Sequence, residues 1–326
     1  MTQMSRRHFA RLPLALGAAA LPWRSWAGGY PQRPVRCVVP YSAGGGADLV
    51  ARMLAQRLTE SLGWNVVVDN RPGANGMIGS DVVAKSAPDG HTLLLADTAH
   101  ATNAALQPRL PFDPVKDFAP ITLVGSSPQL LVAHPSFPAN SLQEMLALPR
   151  AKVQGAGVGT TGQGSVAHLL CEMLKLKTGM DLVHVPYKGG SAALGDAAAG
   201  QIPLAINAMP ACMPHVEARR LKVLAIASPA RSPRLPQVQT VAETVPGLVG
   251  SAWYGLLAPA RTPQDVQHEL GAAVAAALEQ PEIKAKLAGA YIDPLPGGPA
   301  AFAQFLAEDI ARWQAVVRQT GISLNS

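Results

Sequence analysis

Residues Val38–Leu58 read VVPYSAGGGADLVARMLAQRL, and the fold turns on how that stretch changes character. An apolar run ends at Pro40-Tyr41, three glycines follow, and helical spacing begins at once. Leu49, Met53, Leu54 and Leu58 recur at three- and four-residue intervals, which predicts one apolar helix face. A strand, a glycine turn and a helix in that order put side-chain-free backbone at the helix start. Unpaired N–H groups and the positive end of the helix dipole can hold an anion there. The same residues also make an ordinary tight turn, and the stretch alone supports both readings.

On either side the pattern repeats. RPVRCVVP leads in as a strand, Asn65–Asp69 is a second, the loop NRPGANGMIGS opens a helix through Asp81–Ser86, and His91–Asp97 is a third strand. Alternating strands and helices with short connections predict a parallel sheet covered on both faces. LPFDPVKDFAPITLVG should run over the surface, with strands at Ile121–Gly125 and Gln129–His134. Asn140-Ser141 with Glu144 marks a capped helix start, and Lys152–Val158 is strand-like. GTTGQGSVAHLLCEMLK is then a second glycine-rich turn feeding a helix, about 115 residues after the first. DLVHVPY, QIPLAIN and LKVLAIAS are strands, and GGSAALGDAAAG is a helix. Ser251–Ala260 crosses back, and amphipathic helices at Pro263–Leu278, Pro281–Ala288 and Pro299–Thr320 complete the chain. The expectation is α/β, with two lobes: residues 28–127 with 253–326, and residues 128–252. Two lobes joined by more than one crossover describe a clamshell.

At 326 residues with 48% hydrophobic content, both lobes can hold a core. The net charge of +6 overstates basicity. Arg6, Arg7, Arg11 and Arg24 lie in the first 27 residues with no acid, leaving 23 basic against 21 acidic residues, a net of +2. That argues against a nucleic-acid partner. The N-terminus MTQMSRRHFAR, the apolar run Leu12–Leu21 and Ser25-Trp26-Ala27 have the layout of a cleavable signal peptide at residues 1–27. Ser5-Arg6-Arg7-His8-Phe9 also fits a twin-arginine signal, and with that or an ordinary secretory signal export to a bacterial periplasm is expected. Cys37, Cys171 and Cys212 show no zinc or CxxC spacing and read as buried small hydrophobes.

Gly157-Val158-Gly159-Thr160-Thr161-Gly162 is a literal GxGxxG, with Asp181 19 residues beyond it. This admits an exported NAD(P)-dependent oxidoreductase. Against it, the loop continues through Gly164-Ser165, and Asp181 precedes its strand, whereas a ribose-binding acid belongs at a strand's end. Ser42 lacks the glycine of a nucleophile elbow, and the histidines show no metal spacing. What remains is a set of neutral polar residues at strand-to-helix turns: Tyr41 and Ser42 with the glycines; Thr98 and His100; Thr160, Thr161, Gly164 and Ser165; Tyr187 and Lys188; and Asn207. Such turns, at the carboxyl ends of strands, suit a carboxylate ligand. Asp48, in the first helical turn, reads as dipole or capping placement or as a ligand contact.

Taken together, YPQRPVRCVVPYSAGGGADLVAR, VVVDNRPGANGMIGSDVVAKSAPDGHTLLLA, LPFDPVKDFAPITLV, GTTGQGSVAHLL, VHVPYKGGSAAL, ARSPRLPQVQTVAE and SAWYGLLAPARTP resemble the Bug-type periplasmic solute receptors of tripartite tricarboxylate transporters. The resemblance spans the whole region after residue 27. It implies a type II periplasmic-binding-protein fold, without enzymatic activity or cofactor, in a monomer. Its ligand would be a small carboxylate (a di- or tricarboxylate, an acidic amino acid or an aromatic acid) passed to membrane permease subunits. By match to the first loop, Tyr41, Ser42, Gly44 and Gly45 would contact the carboxylate. By match to the second, Thr160, Gly164 and Ser165 would close over the other end. Ala43 stands where proline is frequent, Ala99 where a small hydroxyl residue is common, and Asn207 where an acid is common. A receptor presenting its ligand to a sensor kinase fits the same residues.

Overall fold

The computed structural model describes residues 29–107 and 109–322, so the expected signal peptide lies outside the described residues. The elements in chain order begin with β1 (Val35–Val39), α1 (Gly46–Leu62), β2 (Val66–Asn70), α2 (Met77–Ala84), β3 (Thr92–Asp97), α3 (Thr98–Leu106) and β4 (Phe118–Ala133). The middle of the chain gives α4 (Leu142–Ala147), α5 (Arg150–Val153), β5 (Ala156–Thr160), α6 (Val166–Thr178), β6 (Leu182–Pro186), α7 (Gly190–Ala198), β7 (Leu204–Ala208), α8 (Met209–Glu217), β8 (Lys222–Ile226) and α9 (Val241–Thr244). It closes with β9 (Ser251–Pro259), α10 (Gln264–Leu278), α11 (Pro281–Gly289), β10 (Asp293–Gly297) and α12 (Pro299–Thr320).

The strands form one sheet in the order β2-β1-β3-β9-β4-β7-β5-β6, with β8 and β10 also pairing with β4. β1, β2 and β3 are parallel, as are β5, β6 and β7, and each trio is bordered by an antiparallel strand that returns from the other half. The two glycine-rich turns therefore occupy matching places, β1 to α1 and β5 to α6. Such α/β units with short connections place every such turn at the carboxyl edge of its parallel strands.

The strands expected at Ile121–Gly125 and Gln129–His134 are one strand, β4, running through both halves. Gly125 and Pro128 read locally as breaks, but β9 pairs along Phe118–Pro128, and register shifts near Pro120 and Leu123 absorb the irregularity. Beyond it, Gln129–Ala133 pairs with β7 and β8. The strand expected over Lys152–Val158 begins only at Ala156, because the short helix α5 takes Arg150–Val153.

In α1 the buried face is Val50, Met53, Leu54 and Leu58, whereas Leu49 is 44% exposed. Val50 at 0% exposure takes the inward place because the face must meet β1 and α10, whose Val35, Val39, Leu270 and Val274 share its cluster. Burying each such side chain stabilises the fold by about 1.5–3 kcal/mol. The buried members of a second cluster lie in the other half, around Leu130, Leu194, Ile202 and Met209, with Tyr291 packed against them. A third runs through both halves and includes Leu94, Leu131, Leu169 and Trp313, with α12 packing on α3 and α6. Cys37, Cys171 and Cys212 are buried free thiols, raised above the usual range by burial.

Candidate functional site

Five strand-to-helix junctions converge on a cavity of about 300 Å3 between the halves of the sheet. One wall is Tyr41 after β1, Asn75 after β2, and Asp97, Thr98, Ala99 and Thr102 at the β3–α3 junction. The opposite wall is Thr161, Gly162, Gln163, Ser165, Val166 and Ala167 at the β5–α6 junction, with Gly189 before α7. Gln129 of β4 and Ala252 of β9 close the space where the halves join. A larger hollow of about 720 Å3 lies beside β8, around Asn140, Lys222 and Arg231. It includes no junction from the carboxyl ends of the parallel strands, where open α/β sheets hold ligands. The smaller cavity is therefore the candidate site.

The first glycine turn is braced by a carboxylate. Gly44, at φ 90°, donates its N–H to Asp48 Oδ2 at 2.9 Å, in a backbone region that favours glycine. Asn70 Nδ2 donates to Asp48 Oδ1 and to the Tyr41 carbonyl, both at 3.0 Å, and Arg52 Nε donates to Asp48 Oδ2 at 2.9 Å. The Arg52 hydrogen bond, with those from Gly44 and Asn70, holds the Asp48 carboxyl at about 2. Asp48 thus serves the turn and does not line the cavity. Ser42, Ala43, Gly44 and Gly45 are exposed and outside the lining, so Tyr41 alone carries this turn into the site. Its hydroxyl donates to Asp97 Oδ1 at 2.7 Å, and burial with the Asp97 charge raises its pKa well above the usual tyrosine range.

Neutral groups brace the second turn. Ser165 caps α6: its Oγ accepts the His168 N–H at 3.2 Å and donates to the Gly162 carbonyl at 2.7 Å. Gly164 donates its N–H to His168 Nδ1 at 3.1 Å, which requires that nitrogen to be unprotonated. The His168 ring stacks on His184 with centroids 3.8 Å apart, and His184 Nε2 lies 2.7 Å from the buried Thr160 Oγ1. Burial lowers both imidazoles to about 4, so each is neutral at pH 7. Gly162 has φ 137°, and a Cβ there would sit 3.2 Å from the Tyr187 carbonyl.

Tyr41, Thr98, Thr161 and Ser165 of the expected residues meet in the cavity. Thr98 Oγ1 also accepts the Trp253 N–H at 2.9 Å, tying the β3–α3 junction to β9. Thr160 and Gly164 stand behind the second turn. His100 is buried against Phe112 and Phe118 with Nε2 2.9 Å from the Pro114 carbonyl, so it is a core residue outside the site. The Tyr187 hydroxyl donates to Asp196 at 2.7 Å rather than entering the cavity, and Lys188 is exposed outside it. Asn207 is buried beneath Gly190, where a Cβ would lie 2.3 Å from its Nδ2, so it supports the turn before α7.

Sequence reasoning missed Asp97 and Gln129. Asp97 caps α3: its Oδ1 accepts the Ala99 N–H at 3.0 Å together with the Tyr41 hydroxyl, and burial pushes the carboxyl up to about 6. The signal was present, because an acid ending an apolar strand just before a helix is what Asp181 failed to be. Asp181 lies at the amino end of β6 and its carbonyl accepts the Gly155 N–H, one strand length from Gly162. The GxGxxG therefore has no acid where a dinucleotide ribose would need one. Gln129 was hidden at the start of an apolar run; it is 5% exposed, and its Oε1 has no hydrogen-bond partner.

Two α/β halves with ligand-facing turns across a shared cleft define a periplasmic-binding-protein architecture. Solved structures agree: Rpa4515 of R. palustris, described with adipate, is 35% identical with a TM-score of 0.83, covering 90% of this chain and 99% of that one. MatC of Rhodopseudomonas palustris, described with bound malate, is 33% identical with a TM-score of 0.78, covering 88% of this chain and all of that one. BugT of Bordetella pertussis is 38% identical over 298 residues, 90% of this chain and 91% of the relative. Residues 50–322 match the tripartite tricarboxylate transporter family receptor. The chain belongs to that family of solute-binding receptors.

Proposed function

We propose that this chain captures a small carboxylate in the cleft and delivers it to the membrane permease of a tripartite transporter. The observation that carries the reading is the cavity itself. Five turns at strand ends bring hydroxyls and helix N-termini to it, and among the described residues no Lys, Arg or His lines it. Helix N-termini and neutral donors hold an anion without a buried cation. The adipate and malate described with two relatives are ligands of that chemistry.

Residues 1–27 act as a cleavable export signal with a twin-arginine-like motif, and the mature receptor works in the periplasm as a monomer. The lobes are residues 28–127 with 253–326, and residues 128–252. The switch of β4 from pairing β9 to pairing β7 and β8 at Pro128/Gln129 supports the first of these boundaries. Closure of one lobe on the other excludes water from the bound solute, driven by its tighter binding to the closed form.

A thermal-shift screen of purified protein against small carboxylates tests the reading. A bound acid should stabilise the protein by roughly 2.7 kcal/mol at a hundredfold excess over Kd. Gly162→Ala should reduce that shift. A protein that binds NAD(P) and no carboxylate overturns the proposal.

A further inference from the structure

Within the carboxylate-receptor reading above, on which this inference rests, we propose that the cleft selects an amino carboxylate. The solute's ammonium donates to Asp97, and its carboxylate sits on the N–H groups at the start of α6.

The two oxygens of Asp97 are not equivalent. Oδ1 is occupied, accepting from the Tyr41 hydroxyl at 2.7 Å and the Ala99 N–H at 3.0 Å. Oδ2 receives no hydrogen bond from any described residue, although Asp97 lines the cavity. A partly buried carboxylate that lines a cleft with one oxygen unbonded calls for a donor, and a charged one is worth most. Among the described residues no Lys, Arg or His lines the cavity, so its walls offer Asp97 no cation. The positive partner of Asp97 must then come from the solute. A second carboxylate placed beside it would instead meet repulsion that a low-dielectric cleft screens poorly.

The opposite wall has the complementary sign. Val166 and Ala167 line the cavity in the first turn of α6, where backbone N–H groups have no intrahelical partner. The Ser165 hydroxyl is taken by the His168 N–H and the imidazoles behind the turn are neutral, so among the described residues no side chain occupies the Val166 and Ala167 N–H groups. Gln129 is an independent sign of a missing polar partner. It is 5% exposed, lines the same cavity, and holds an Oε1 with no hydrogen bond. Acid on one wall, open N–H groups on the other and an amide between them fit a short zwitterion in about 300 Å3.

The test is calorimetric titration of the mature protein with matched series: succinate, malate and aspartate; glutarate, 2-hydroxyglutarate and glutamate; butyrate, 2-hydroxybutyrate and 2-aminobutyrate. The amino member of at least one series should bind about tenfold or more tighter than its partners, the value of one charge-assisted hydrogen bond. Asp97→Asn keeps an acceptor for Tyr41 and Ala99 but removes the charge. It should weaken the amino acid about tenfold and tighten the unsubstituted diacid, inverting the order. Wild-type protein that binds hydroxy or unsubstituted acids as tightly as the amino acids overturns the inference and leaves the receptor reading standing. An order unchanged in a folded Asp97→Asn variant also overturns it. If none of these acids binds, the inference falls, and the receptor reading is decided by the wider carboxylate screen.

Discussion

The two glycine-rich turns occupy equivalent places in the two halves of the sheet, yet opposite chemistry holds them. Asp48 braces the first, so a carboxylate already occupies part of the donor set at the start of α1. Neutral Ser165 and His168 brace the second, which leaves the α6 dipole unopposed. Equivalent topology therefore does not mean equivalent ligand chemistry. The first turn offers the site a tyrosine and, through it, Asp97; the second offers N–H groups. A cleft that looks symmetric in outline is polarised in charge.

The largest effect should come from Gly162→Ala. Its φ of 137° and the Tyr187 carbonyl 3.2 Å from the new Cβ strain the second turn. The expected loss is about 1–3 kcal/mol of stability, read by denaturant melt, together with weaker solute binding. A variant with wild-type stability would show that the turn relaxes freely and is not built rigid.

Next is acid sensitivity of the second turn alone. Burial depresses His168 and His184 from 6.5 to about 4, so between those values the unfolded chain binds protons that the native rings refuse. Stability should therefore rise with pH through that window and be lost as pH falls through it, on the order of 1–2 kcal/mol per ring by pH 4.5. His184→Phe keeps a stacked ring without a titrating nitrogen, and its melting temperature should vary less with pH than wild type. An unchanged pH slope would remove the imidazoles from the account.

Asp48→Asn addresses the first turn. The amide weakens the contacts to Gly44 and Arg52 and should cost about 1–2 kcal/mol in a urea melt. With the charge gone from the start of α1, the affinity for a carboxylate solute should rise. A fall in affinity would mean that Asp48 holds the first turn in its binding shape, and the contrast between the turns would be weaker than their bonding indicates.

The smallest effect belongs to Gly45→Ala. Gly45 has an extended φ of −84°, and the nearest heavy atom to an added Cβ is the Ser42 carbonyl at 4.0 Å. Stability should change by less than about 0.5 kcal/mol. A large loss of binding from so small a change would bring Gly45 into solute contact.

Much of the architecture was legible because strand–turn–helix units leave local marks. The glycines after Tyr41, the Ser141 and Ser165 caps and the helices beginning at Pro281 and Pro299 are set by nearby residues. What escaped depends on distant partners. Gly125 and Pro128 interrupt a strand when read alone, but the ladder with β9 carries β4 through them. Leu49 was as apolar as Val50, and only the position of α10 decided which one faces inward. The site divided in the same way. Ser165 and Tyr41 stand out beside glycines, while His100 proved to be core and Asp97 passed as an ordinary helix cap.

The crossing strands bear on how such a chain can be recombined. Pro128 and Ser251 are opposite each other on β4 and β9, so the chain leaves for the second half and returns from it on adjacent strands of one ladder. Residues 129–250 thus form an insert whose two ends are neighbours. Exchanging that insert with a relative's would cut the sheet at a single seam and leave the β1–β2–β3 wall, including Asp97, untouched. In such an exchange the two walls of the cleft would travel separately, Asp97 with the frame and the start of α6 with the insert.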